Sequence, residues 1–238
     1  MTTEKGTAGG TLFAIGRVLF GTGMVAFGAI PLFTRHLPGG LVPLSTPLPV
    51  WLAVGIGILL IVTTVAALIR PASRMPYVLA AFPLVSLLAA HAPTLYRSGW
   101  DAGLWSGGFE VVSLGAGALM LAGLEPGRWI YAVSIAFFGV VHLMYSGFIA
   151  TLVPHWIPVP LFWAYAVGVA FLAAALSIFF KIAIRLSGTL LGLMFLSWVF
   201  VVHLPRIVGS PGIEAEWTSG FVALAMSGIA WMTTRNSR

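Results

Sequence analysis

Long apolar stretches, separated by short charged or proline-rich breaks, dominate the chain. Runs free of Asp, Glu, Lys and Arg cover residues 18–34, 36–69, 75–96, 129–180, 186–205 and 217–234. One crossing of a bilayer takes about 20 apolar residues, so 36–69 and 129–180 must each be divided. Prolines divide them: Pro38, Pro43, Pro47 and Pro49 in the first run, Pro154, Pro158 and Pro160 in the second. Proline offers no backbone N–H, and unpaired backbone groups are costly in lipid, which places these stretches in loops or protein-lined turns. The pattern predicts eight helices, near 14–34, 49–70, 76–96, 105–124, 128–149, 160–181, 185–205 and 217–234. The fourth holds an acidic residue, Glu110, within its apolar run.

Composition sharpens this picture. Of 238 residues 59% are apolar and only 8% are charged, with a mean hydropathy of +1.03. A soluble domain carries about 25% charged residues, so the expected environment is a lipid bilayer. The net charge of +6 therefore calls for no nucleic-acid partner, because Lys and Arg gather in cytoplasmic loops of membrane proteins. If the N-terminus is cytoplasmic, Lys5, Arg17, Arg70, Arg74, Arg128, Lys181, Arg185, Arg235 and Arg238 lie inside, and Arg35, Arg97 and Arg206 outside. Both termini are then expected to face the cytoplasm. There is no cysteine, which excludes disulfides, thiol catalysis and thiolate-held metal or Fe–S centres. No nucleotide-binding glycine motif is present either.

The chain also matches itself. Shifted by 111, residues 16–57 fall on 127–168, with Gly16/Gly127, Arg17/Arg128, Phe27/Phe138, Gly28/Gly139, Pro43/Pro154, Pro47/Pro158 and Pro49/Pro160 among the identities. Shifted by 112, residues 91–118 fall on 203–230, aligning His91/His203, Pro93/Pro205, Trp105/Trp217, Gly108/Gly220 and Phe109/Phe221. Biased composition aligns Leu and Ala, but not prolines, a His-x-Pro and a Trp-x-x-Gly-Phe in order. The expected fold is all-α: a polytopic membrane protein of eight transmembrane helices in two parallel-repeat four-helix bundles, residues 11–124 and 125–235. Small residues four apart, Ala53/Gly57, Ala164/Gly168 and Gly188/Gly192, are expected to mark tight helix packing.

The second half carries further text: Phe138-Gly139-Val140-Val141-His142, Leu152-Val153-Pro154-His155-Trp156-Ile157-Pro158-Val159-Pro160-Leu161-Phe162-Trp163, His203-Leu204-Pro205-Arg206 and Glu216-Trp217-Thr218. This resembles bacterial DoxX-like membrane proteins, whose module is a four-span unit. The first half resembles it more faintly, and has Pro31 where the second has His142. The resemblance implies the bacterial plasma (inner) membrane and an accessory subunit of a quinone-linked redox or oxidative-stress system.

With cytoplasmic termini, His91, His142 and His203 fall in the outer parts of helices three, five and seven. Glu110 lies five residues beyond Trp105, roughly 7.5 Å deeper at ~1.5 Å per residue, a depth similar to that of His91. An ionisable group at that depth faces a bundle interior or a wet cavity. Glu110 and His91 could thus meet, either as a structural ion pair or as a site that exchanges protons with the outer aqueous phase; the alternative is a later helix start that leaves Glu110 in water. His91 and His203, each before x-Pro, either satisfy helix-end carbonyls or donate to a ligand. Trp105, Trp163 and Trp217 either form an interfacial belt or line a slot for a lipid-soluble ligand such as a quinone. Haem between His142 and His203, or a metal among His91, Glu110, His142 and His203, finds no supporting spacing motif. Arg206, Glu214 and Glu216 are expected to form a solvated edge. Two other functions stay open: a non-enzymatic scaffold docking a membrane or periplasmic (redox) partner protein, and a small-molecule transporter.

Overall fold

The computed structural model describes residues 3–43 and 47–235, with side chains described from residue 9 of the first helix onward. Lys5 and Arg238, counted above on the inner side, lie outside the described side chains. The described residues form helices throughout: α1 (Thr3–Thr34), α2 (Val50–Ile69), α3 (Met75–Ser86), α4 (Ala92–Ser98), α5 (Ala102–Leu121), α6 (Pro126–Met144), α7 (Ser146–Leu152), α8 (Pro160–Phe180), α9 (Ile184–Trp198), α10 (Leu204–Gly209) and α11 (Glu214–Met232). Local chemistry sets the limits. Pro126 and Pro160 occupy the first helical positions of α6 and α8, where the missing N–H costs nothing. The Asp101 carboxylate accepts from the Leu104 N–H at 2.8 Å and caps α5. Gly123, with φ of 80°, ends α5 with the Leu124 N–H bonded back to the Leu119 carbonyl, the turn that favours glycine.

Two π turns join α3 to α4 and α9 to α10. They cover Leu87–His91 and Val199–His203. In each the next N–H reaches five residues back, Ala92 to Leu87 and Leu204 to Val199. Pro93 and Pro205 follow two residues after each histidine. A proline within a helix lacks the N–H and crowds the carbonyl four residues earlier; the wider turn relieves both.

Among the described residues, seven helical segments are long and apolar enough to cross a membrane, including the composite rods Met75–Ser98 and Ile184–Gly209. The protein is therefore a multi-pass, all-helical membrane protein. The stretch expected as an eighth crossing is helix α11, which is not among those seven. Glu214 and Glu216 open it, and Gly, Ala, Ser and Thr fill much of the remainder. Its position accounts for this composition. From Val222 to Met232 it is almost wholly buried, so it packs on protein and needs small side chains more than lipid-compatible ones. The outward faces of its neighbours carry the apolar bulk instead: Leu59 and Val62 on α2, Val85 on α3, Leu176 and Phe180 on α8, Leu186 and Leu190 on α9.

The helices close into a ring. Helix α1 packs on α2, α2 on α3, α3 on α5, α5 on α6, α6 on α8, α8 on α9, α9 on α11, and α11 back on α1, with α5 and α11 also touching. Glycines permit the closest approaches. A Cβ on Gly16 would stand 2.6 Å from the Gly228 carbonyl, and one on Gly127 would stand 2.5 Å from that of Ala116. Likewise Gly57 meets the Gly28 carbonyl at 2.5 Å, and Gly139 meets that of Gly168 at 3.0 Å. The main core is continuous across the halves, from Phe20, Met24 and Phe27 through Leu114, Tyr131 and Phe171 to Met226 and Ile229.

At the end holding the termini, arginines tie helix pairs. Arg17 Nη2 donates to the Leu68 carbonyl at 2.7 Å. Arg128 donates to the carbonyls of Ile178 and Phe179 and pairs with Glu125 at 3.0 Å. Lys181 reaches the same carboxylate at 3.4 Å. The hydrogen bond from Arg128 holds the Glu125 carboxyl below the ordinary carboxylate range.

Candidate functional site

At the opposite end three cavities adjoin one another. The largest is a vestibule of about 760 Å³ between the loop after α1, the first π turn, the start of α5 and the start of α11. His91 and Glu110 both line it, as do His36, Ser106, Glu214, Thr218 and Ser219. A second cavity of about 200 Å³ shares Glu110, Ser219 and Val222 with the vestibule, and adds His142, His203, Trp198, Phe138, Phe171 and Phe195. A third, of about 300 Å³, shares His142, Trp198 and His203 with the second and opens among Leu152, Pro154, Ile157, Trp163 and Arg206. Four residues singled out from the sequence, His91, Glu110, His142 and His203, thus line one chain of connected spaces. Glu110 forms part of the wall between vestibule and inner cavity.

The histidines differ in what they bond. His91 is 3% exposed and its Nε2 lies 3.3 Å from the Leu41 carbonyl. A carbonyl only accepts, so Nε2 carries the hydrogen and a neutral His91 keeps a lone pair at Nδ1. The Ser86 hydroxyl donates to the same carbonyl. His142 Nδ1 donates to Phe138 O at 2.8 Å, four residues back, and its ring stacks near Trp198 at 6.4 Å with planes 11° apart. In the first half Pro31 occupies the matching place. His203 makes no hydrogen bond among the described residues, and its Nδ1 is buried without a partner. The carbonyl that would match that of Leu41 is Leu152 O, and Arg206 Nη2 donates to it at 3.2 Å.

Glu110 and His91 share the vestibule but form no hydrogen bond or ion pair; the pairing is absent because the imidazole turns its N–H to Leu41. Trp163 reaches the third cavity while its Nε1 donates to Pro158 O at 3.0 Å. Trp105 and Trp217 line none of the three cavities. Their indoles donate to the loop carbonyls of Gly99 at 3.1 Å and Pro211 at 2.9 Å, each six residues earlier. These two tryptophans fasten loop to helix.

No family model, curated protein or solved structure matches the chain.

Several lining residues carry no sequence signal of their own. Trp198 begins the bend five residues before His203, a place defined only by the π turn. Arg206, expected at a solvated edge, instead lines the third cavity. Glu214, expected at the same edge, pairs with His36 at 3.2 Å across the vestibule mouth. Among the described residues no cluster of three or more His, Asp or Glu side chains is arranged to hold a metal ion. The second and third cavities together offer aromatic walls, one unpartnered imidazole and one guanidinium, which suits a flat, apolar molecule with a carbonyl group.

Proposed function

We propose that this protein binds a quinone or a similar lipid-soluble carbonyl compound in the cavity between α6, α8, α9 and the second π turn, as an accessory subunit of a quinone-linked redox system. One observation carries the reading: the unpartnered His203 imidazole borders an aromatic-lined cavity whose volume, about 300 Å³, lies at the lower end of the usual ligand-pocket range of about 300–1,000 Å³. A buried polar nitrogen without a hydrogen bond is costly, and a ligand carbonyl relieves that cost. His142 is already committed to Phe138, so His203 is the ring free to donate, with Arg206 beside it.

Several of the residues that resemble DoxX-like proteins line this cavity, among them His142, Leu152, Pro154, Trp163, His203 and Arg206. That resemblance makes a bacterial inner membrane part of the proposal, and the distribution of Lys and Arg makes cytoplasmic termini part of it, with the cavities on the outer side. The proposal also takes α11 as an eighth crossing and the chain as two four-helix units in tandem. Equivalent contacts support this: both π turns end in His, Arg17 and Arg128 reach carbonyls 51 residues on, and both belt tryptophans bond six residues back.

The test is mass spectrometry of the organic-soluble material that co-purifies with the protein, for wild type and His203→Ala. A stoichiometric quinone with wild type, lost or sharply reduced in the variant, is expected. Phospholipid alone with both proteins, alongside a stable co-purifying polypeptide, would sink the quinone site and favour a docking scaffold.

A further inference from the structure

We infer that the vestibule is a second site, specific for a small organic ammonium ion, with Glu110 as its counter-charge. The inference does not rest on the quinone reading, because the vestibule and the third cavity share no residue.

Charge balance in the vestibule points to a cation. Two carboxylates line it and no Lys or Arg does. Glu214 is answered by His36 at 3.2 Å. Glu110 has no hydrogen-bond or ion-pair partner among the described residues, although its place in α5 lies within a membrane-crossing helix. An unpaired carboxylate at that depth is unfavourable, and a bound cation restores it to a paired state.

The other polar groups select the kind of cation. His91 gives its N–H to Leu41, leaving an Nδ1 lone pair on the side of α5, where Gly107 and Gly108 are its neighbours. Ser106 donates to the Ala102 carbonyl at 2.6 Å, which leaves its oxygen lone pairs free. Thr218 also lines the vestibule, with its hydroxyl turned away from the open space and without a hydrogen-bond partner among the described residues. The vestibule is thus rich in acceptors, and the matching ligand is rich in donors. A primary ammonium presents three N–H donors and makes a charge-assisted bond to a carboxylate. A bare alkali or divalent ion fits less well: the described residues hold no compact set of acidic ligands, and about 760 Å³ far exceeds one ion. The remaining wall (Pro43, Leu104, Ala215, Val222) is apolar and accommodates a short carbon chain attached to the ammonium.

The test is calorimetric titration of the full chain in lipid nanodiscs with propylammonium, using propanol as the neutral isostere and sodium as competitor. Propylammonium is expected to bind and propanol not to. Glu110→Gln should weaken propylammonium at least tenfold, Glu110→Asp should retain part of the affinity, and His203→Ala should leave it unchanged. Equal binding of propanol, unchanged affinity in Glu110→Gln, absence of propylammonium binding, or full displacement by equimolar sodium would each overturn the assignment. Loss of propylammonium binding with quinone retained would localise a failure to Glu110; the converse would localise it to His203.

Discussion

The two π-turn histidines occupy matching places in the halves of the chain yet do different work. In the first half the Leu41 carbonyl is held by His91 and Ser86. In the second the corresponding Leu152 carbonyl is held by Arg206, and His203 has no hydrogen-bond partner among the described residues. Position 198, matching Ser86, is a tryptophan that lines the inner cavities instead of donating to the loop. The comparison teaches that one backbone geometry can leave its imidazole bonded to the loop or, among the described residues, without a partner. A single outside donor, Arg206, satisfies the loop and releases the imidazole.

The strongest way to break the equivalence is to crowd the glycines on which both halves depend. Gly16→Leu and Gly127→Leu each drive side-chain atoms into a helix backbone and should each cost about 3 kcal/mol, read as a fall in thermal midpoint or loss of monodisperse protein. Tolerance of either change would show that its half does not need the close contact.

The histidines come next. His91→Ala removes a buried hydrogen bond and should destabilise the fold by about 1–2 kcal/mol, leaving affinity for a short-chain quinone within about twofold. His203→Ala should do the reverse: quinone affinity falls about tenfold, equivalent to about 1.4 kcal/mol, while thermal stability holds within about 0.5 kcal/mol. Quinone quenching of tryptophan fluorescence and a thermal melt read the two effects. The same response in both variants would erase the distinction.

A smaller effect concerns the arginines at the other end. Arg128 has Glu125 three residues before it, whereas Arg17 has Ala14 there and a buried Nε without a hydrogen-bond partner among the described residues. Ala14→Glu should stabilise by a few tenths to about 1 kcal/mol, and an unchanged melt would show that Arg17 needs no acid.

The smallest is a pH dependence. The Glu125 carboxyl is held below its ordinary value, so its contribution is present above the unfolded value of about 4.3 and disappears as pH falls through the lowered folded value. Its side chain is 59% exposed, so solvent screening keeps the effect to a few tenths of a kcal/mol. Glu125→Gln should flatten that acid limb of the stability profile.

Much of this architecture was legible in the residues. Prolines and scattered charges located the seven apolar crossings, and His91, Glu110, His142 and His203 were recognisable as costly groups at membrane depth. Partnership was not legible. Both imidazoles end a π turn, whose one-residue insertion leaves no mark except a proline two positions later, and their difference rests on the donor that Arg206 brings to the Leu152 carbonyl. The burial of α11 was equally hidden, because small and polar residues read as weak lipid contact when they in fact denote a helix enclosed by others. By depth Trp105 and Trp217 suited an interfacial belt or a ligand slot alike; their indoles bond nearby loop carbonyls, which the sequence alone does not reveal.

The packing of α11 along α1 also brings the two ends of the chain together: the Arg235 guanidinium lies 4.6 Å from the centre of the Phe13 ring. Helix α1 therefore completes its contacts only when α11, far along the chain, arrives. A linker joining the ends, with a cut in the turn at Gly123–Leu124, would yield a circularly permuted protein that starts at α6, finishes at α5 and keeps every helix beside its present neighbours. Which helix comes first is then a matter of where translation begins, and not of how the bundle packs.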